Sequence, residues 1–403
     1  MGSFNTPQET NDMFQHLIGQ GLTVWYNRLQ DNPLSQSEFH AHDQLISFLN
    51  NAVVRNPTDF PTEQFETICR IIEVASPQFE NRGLWTEWTK VLTGVLSVAK
   101  RIGTVEQKAI LYHNLARFFV TQNRYAEGET AYRKAIYLTR QIGDQHNEAR
   151  AYSNLGYYYI DRGHWWRSEI LCLRALAIFE KLESDHGKAH TLNHLGLLYV
   201  RQRRFSEAEQ SLQTAIRIWH TYDKYALFHG YMNLSLLAYE MQDGNRAIEW
   251  AEKALDVACF LEDVFVQARS KTNIAIGYVL IGKYDRALGL LQDVINMSQT
   301  QVDIVGTAIA QLNIGEIYLI QSQYQKGIQQ LDVAFNTFDE LNNANAMVEI
   351  LNILIKYQIA NAEKLEAGET LKRLKKIVQE NHWGKDLLAN LRQKISSYQS
   401  RLN

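Results

Sequence analysis

An asparagine set beside an apolar residue returns along this chain at Asn114, Asn154, Asn233, Asn273, Asn313 and Asn352, with His194 filling the one vacant slot; the steps are 40, 40, 39, 40, 40 and 39 residues. A fixed period of this size marks a fold made of stacked supersecondary units, each burying its apolar face on the next. Such stacking removes the usual size limit on a single core, so 403 residues do not force two domains.

All five prolines, Pro7, Pro33, Pro57, Pro61 and Pro77, fall in the first fifth of the chain, and nothing after Gln78 forbids helix. Within one unit, Ala151 to Ile160 has apolar residues at helical spacing, Arg162-Gly163 interrupts it, and Trp165 to Leu182 resumes it up to the break at Ser184 to Gly187. Two antiparallel helices per unit follow. Small residues sit where such helices must approach closely: Gly156, Gly196, Ser235, Ala275 and Gly315 in the first helix, and Ser168, Ala208, Ala247, Ala287 and Gly327 twelve residues later. Ala135, Ala175, Ala215, Ala254 and Ala334 form a third set, with Val294 as its one larger member.

The run Leu155-Gly156, Tyr159, Ser168 and Ala175, repeated as Leu195-Gly196, Tyr199, Ala208 and Ala215, resembles the tetratricopeptide repeat. The surplus length falls after the last alanine, as in the longer repeats of kinesin light chains and of bacterial signalling proteins. The family's closing proline is absent, with Glu180 at its place, so the second helix is expected to run on for another turn. The resemblance implies an all-α fold, a right-handed α-solenoid of antiparallel helix pairs. The expected organisation is an N-terminal helical cap or docking segment over 1–61, an array of seven to eight units over 62–376 and a C-terminal capping helix over 377–403. In the first segment, Asp12 to Gln30 and Glu38 to Val54 read as helices around a turn at Asp31-Asn32-Pro33. A degenerate unit then starts near Thr62, with Gly83 opening its second helix.

On a helix of 3.6 residues per turn, positions four before, three after and seven after the asparagine share its face, while the core positions one and five after it point elsewhere. The resemblance implies that first helices line a concave surface, and the asparagine column then faces a groove in which each amide has donors and an acceptor for peptide backbone. The competing reading is that these side chains bond only to adjacent repeats. Asparagine costs about 0.6 kcal/mol relative to alanine within a helix, so six occurrences call for compensation of one kind or the other. The candidate groove residues are Asn114, Arg117, Arg150, Asn154, Tyr157, His190, His194, Arg201, His229, Asn233, Arg269, Asn273 and Asn313. Their cationic lean, with Ile309, Glu316 and Ile320 making the last full unit more apolar, fits a ligand having an acidic end and an apolar end; a solvated mixed-charge face is the plain alternative.

His186, His190, His194 and His229 raise a metal reading, since His190 and His194 have the i, i+4 spacing of paired zinc ligands. No cysteine or repeated carboxylate completes a set, so neither metal nor cofactor is expected. Trp85, Trp88, Trp165, Trp166 and Trp219 read mostly as core, and Lys372 to Lys376 as a solvated helix face. The isolated Cys69, Cys172 and Cys259 make no disulfide framework and fit a reducing cytoplasm. No run of eighteen apolar residues suits a membrane.

No phosphate loop, nucleophile elbow or catalytic pair is present, which argues against an enzyme. Net charge of -3 argues against RNA recognition by the repeats. The expected function is a scaffold holding a protein or peptide partner in its groove, with a partner bearing an acidic segment as the fitting case. The alternative is a regulatory sensor that gates a separate effector, with the first 60 residues as docking surface. Self-association also remains open.

Overall fold

The computed structural model describes residues 7–31, 39–54, 61–81, 84–220, 223–300 and 303–402, and among them it contains 19 α-helices and no strand. The expected turns at Asn32-Pro33 and Gly83 lie outside these residues. The chain divides into two compact units, Met1–Ala151 and Tyr152–Asn403. The first holds α1 (Pro7–Asp31), α2 (Phe39–Val54), α3 (Thr62–Asn81), α4 (Trp85–Ile102), α5 (Val105–Thr121), α6 (Tyr125–Gln141) and the start of α7 (Gln145–Asp161). The second continues with α8 (Trp165–Lys181), α9 (Asp185–Arg201), α10 (Phe205–Trp219), α11 (Lys224–Glu240), α12 (Gly244–Phe260) and α13 (Val264–Leu280). It ends with α14 (Tyr284–Thr300), α15 (Ile304–Ile320), α16 (Tyr324–Glu340), α17 (Ala344–Ala360), α18 (Lys364–Glu380) and α19 (Lys385–Leu402).

Most of these helices are 17 residues long and joined by three-residue links, so the 40-residue unit is two equal halves. The links share one geometry. Asn123 is left-handed at φ 60°, its N–H donates to the carbonyl of Val120, and the next N–H, of Arg124, donates to Phe119. This pair of bonds satisfies two carbonyls that the helix end would otherwise leave bare. The left-handed position recurs at 143, 163, 183 and 203, at 242, 262 and 282, and at 322, 342 and 362.

The small-residue sets lie at the helix crossings. Ser168, Ala208, Ala247 and Ala287 are at most 1% exposed, and so are Ala135, Ala175, Ala215, Ala254, Val294 and Ala334. A Cβ on Gly196 would come within 2.6 Å of Leu212, and one on Gly156 would collide with the Cys172 sulfur, so a larger residue would push the paired helices apart. In the first unit the core joins Leu22 of α1, Leu45 and Leu49 of α2, and Phe65, Ile68 and Phe79 of α3 to Trp88. Phe79 and Trp88 stack at 3.9 Å, and the indole N–H donates to Ser76. Pro77 lies inside α3, where its missing N–H costs one helix bond.

Candidate functional site

Counting from the start of each first helix exposes the logic of the asparagine column. Asn114, Asn154, His194, Asn233, Asn273 and Asn313 all stand nine residues into α5, α7, α9, α11, α13 and α15, whereas Asn352 stands eight into α17, and Ile353 holds the ladder place. One residue is about 100° of helix rotation. Asn352 therefore belongs to a different column, made of His113, Ser153, Asn193, Met232, Thr272 and Leu312, whose members are all between 3% and 9% exposed.

The two columns meet between repeats. Asn233 donates to the Asn193 side-chain oxygen at 2.9 Å, the Asn273 amide lies 3.7 Å from the Met232 sulfur, and the His194 Nδ1 lies 3.0 Å from the Ser153 hydroxyl. Three rungs thus reach back to the buried column of the preceding repeat, which is how the compensation for mid-helix asparagine is met there. Asn313 instead donates to the Ile309 carbonyl of its own helix at 2.7 Å. Asn114 is a correction to the groove expectation: it is 1% exposed and donates to the Ile110 carbonyl, so its amide faces protein. Asn154, His194, Asn233, Asn273 and Asn313 are half-buried.

The other candidates of the first unit are also engaged internally. Arg117 forms an ion pair with Glu80, and Arg150 lines a void of about 10 Å³ with His113, Thr139 and Asn147. Beside them an apolar crevice of about 370 Å³ opens over Leu96, Tyr112, Leu115 and Phe119, with Lys134 over the Tyr112 ring.

Within the second unit the neighbouring stripe positions carry the accessible chemistry. Tyr157, Arg201, Arg269, Ile309, Glu349 and Lys356 are exposed, and His190, His229, Glu240 and Glu316 are half-buried. Glu349 on α17 feels the charges of Arg201 on α9, Lys394 on α19 and Glu240 on α11, so side chains of separated first helices come within electrostatic reach of one another around one space, the hollow of this unit. Glu349 is exposed, yet enough protein surrounds it that desolvation raises its pKa, partly offset by Arg201 and Lys394. Desolvation likewise raises Glu316, helped by the charge of Glu349, and raises Asp161 against the pull of Arg201 and Arg162. On the opposite side of neutrality, His190, His194 and His229 are pushed down, in each case by desolvation first; His190 is lowered further by the other histidines and His229 by Arg269. Burial thus disfavours the charged form of the three imidazoles and of the three carboxylates alike. The later part of the stripe, expected to be more apolar with Ile309, Glu316 and Ile320, has Glu349 exposed beside them.

Two segments far apart in the sequence of the second unit meet. Gly384 N–H donates to the Arg162 carbonyl at 2.6 Å, Asp386 N–H to the Gly163 carbonyl at 3.2 Å, and the Asp386 carboxylate accepts from Trp165 N–H at 3.0 Å. Arg162, 7% exposed, lies over the Trp383 ring. The segment entering α19 is thereby fastened to the turn between α7 and α8. Sequence reasoning had no signal for this contact, because Arg162-Gly163 and Gly384-Asp386 are distant in the chain and ordinary in type.

Equal paired helices and small-residue crossings define the class as a tetratricopeptide-like α-solenoid. The tetratricopeptide repeat family matches this chain over residues 107–181 and 167–219. No curated protein matches it in sequence. Among solved structures, a Rap protein complexed with Competence and Sporulation Factor is similar at TM-score 0.64 and 13% identity, over 95% of this chain and 99% of that one. The Rap conjugation gene regulator of plasmid pLS20, in complex with the Phr* peptide, is similar at TM-score 0.58 and 13% identity, over 96% and 98%. Aspartyl phosphate phosphatase F from Bacillus subtilis follows at TM-score 0.57 and 12% identity, over 94% and 96%. At these identities the likeness is one of fold. No described helix is long and apolar enough to cross a membrane.

Proposed function

We propose that this protein is a non-enzymatic scaffold that holds an extended peptide segment of a partner in the hollow of residues 152–403. The observation that carries the reading is the set of charged and aromatic side chains on first helices of the second unit, Tyr157, Arg201, Arg269 and Glu349 exposed and Glu316 half-buried, with Arg201 and Glu349 within electrostatic reach of each other. Two similar structures are of proteins complexed with a peptide or a factor, which supports the same use of the fold. Arg269 and Arg201 suit an acidic side chain or a terminal carboxylate, and Glu316 with Glu349 suits a basic one. The half-buried asparagines contribute an edge of amides rather than a free ladder, since Asn233 and Asn273 also serve the seam between repeats.

Capture of partners from the native cell, followed by mass spectrometry, tests this when wild type is run beside Arg201→Ala/Arg269→Ala. Both residues are exposed, so the variant should fold normally. The species held by the wild type should drop about tenfold or more in yield, corresponding to roughly 1.4 kcal/mol or more. Equal yields from both proteins would place the binding surface elsewhere.

A second reading, a sensor that gates a separate effector, is favoured by two observations. The contact of Gly384 and Asp386 with the turn between α7 and α8 ties the two ends of the hollow, so an occupant would load or release it. In the first unit, Met13, Leu17 and Val24 form one exposed apolar stripe on α1, a surface of the kind a helical partner covers.

A further inference from the structure

A side-chain cluster on the first helices of the second unit has chemistry that peptide holding does not use. His186 and His190, four residues apart, project from the same face of α9. Asp223 caps α11: one carboxylate oxygen accepts from Ala226 N–H at 2.9 Å, and the other lies 3.2 Å from His186 Nε2 and 4.0 Å from His190 Nε2. One ligand atom from each of the three residues lies within 4.8 Å of the other two. A tetrahedral ion with bonds of about 2.0–2.2 Å has ligand-to-ligand edges of about 3.3–3.6 Å, so small side-chain rotations bring these atoms to the spacing that zinc requires. The two sides are already oriented: the cap bond fixes the carboxylate, and the His190 ring packs edge-on against buried Trp219 at 4.9 Å. The three side chains keep 58%, 41% and 25% of their surface open, which leaves a fourth position facing solvent.

We infer that His186, His190 and Asp223 form a three-ligand site for a divalent metal ion of the zinc class, with its fourth position open to water or to an oxygen or nitrogen of a bound partner. Two imidazoles and one carboxylate select zinc, cobalt, nickel or copper over magnesium and calcium, which prefer all-oxygen sets. The i, i+4 pair that matters is His186 with His190. His194 is turned toward Ser153 and Tyr157 and stands apart from the cluster. This site stands or falls independently of the peptide reading, because it is built from ligand spacing alone.

The test uses the full chain without an affinity tag, stripped with a chelator and titrated with Zn²⁺ by calorimetry and with Co²⁺ by visible absorption. The expected result is one saturable equivalent and the d–d absorption of four- or five-coordinate cobalt. His190→Ala and Asp223→Asn, the latter keeping a capping side chain, should each weaken Zn²⁺ binding about tenfold or more, whereas His194→Ala should leave it unchanged. His186→Ala, at an exposed position, provides the same test without risk to folding. Absence of a saturable equivalent, or binding that survives the His186→Ala/His190→Ala double substitution, overturns the assignment.

Discussion

At the level of single residues, His113 of the second column joins His190, His194 and His229 in setting how this protein responds to acid. His113, 5% exposed, is packed between Tyr132 and the Arg150 region, and its pKa is driven well below the ordinary value, by desolvation first and then by the charges of Arg150 and Arg117. A group whose folded pKa is depressed binds more protons in the unfolded chain, so its stabilising effect is present above the unfolded value near 6.5 and is lost as pH falls toward the folded one. Below about pH 6.5 stability should therefore decline by up to about 1.4 kcal/mol per pH unit from this residue, and His113→Leu should reduce the total slope by that share in chemical denaturation at pH 7, 6 and 5. An unchanged slope would mean that the ring takes up its proton in the folded state. The ladder residues separate in the same experiment. Asn233→Ala leaves the buried Asn193 oxygen without its 2.9 Å donor and should cost about 1–2 kcal/mol, while Asn313→Ala removes only a bond to its own helix and should be neutral or slightly stabilising, by about 0.6 kcal/mol. Equal losses for the two variants would contradict the seam.

Among the helices and links, the regularity of the fold hides a recurrent strain. Eight of the left-handed link positions among the described residues carry a side chain, including Glu183, Gln242, Glu262 and Ala362, and only Gly143, Gly163 and Gly282 are glycine. A residue with a Cβ loses roughly 1–2 kcal/mol in that conformation, partly recovered because glycine has more freedom to lose on folding. Ala362, at φ 60°, has no polar group to soften the cost. Ala362→Gly should stabilise the protein by about 1 kcal/mol, read as a shift in the urea midpoint with unchanged slope; a loss would show that the methyl group packs usefully. These links also show what was legible in advance. Helix number, pairing and crossing points followed from spacing, because apolar periodicity and small residues report directly on packing. The link geometry did not, since Glu183 or Gln242 carries no signal for a left-handed turn that the hydrogen bonds of the helix end impose. For the candidate site, spacing put Tyr157, Arg201 and Arg269 off the core, and their side chains are exposed. It misplaced Asn352 by one residue, and it could not pair His190 with Asp223, because partners from different repeats meet only after stacking.

At the scale of the second unit as a whole, the contact between the turn after α7 and the entry to α19 sets how freely the hollow changes width. Leu391 and Tyr398 anchor α19 in the core beside Leu371 and Leu374, so the helix itself does not depend on the contact. What depends on it is the segment from Trp383 to Leu387, held by two backbone bonds, by the Asp386 carboxylate at the N-terminus of α8, and by the fit of Leu387 against Gly163. Gly163 combines φ +71° with this close approach, so a methyl group there is both strained and in collision. The bond to the charged Asp386 is worth about 1.5–3 kcal/mol, so Asp386→Ala should raise the local opening equilibrium by about tenfold to a hundredfold. Gly163→Ala should do at least as much. The reporters are the amides of Gly384 and Asp386, whose hydrogen exchange should accelerate by that factor while α11 to α14 keep their protection. If the contact fastens the hollow, a bound peptide should slow those two amides in the wild type and lose this effect in Asp386→Ala. Exchange in the variant equal to the wild type would mean that the contact is incidental and that the width of the hollow is fixed by helix packing alone.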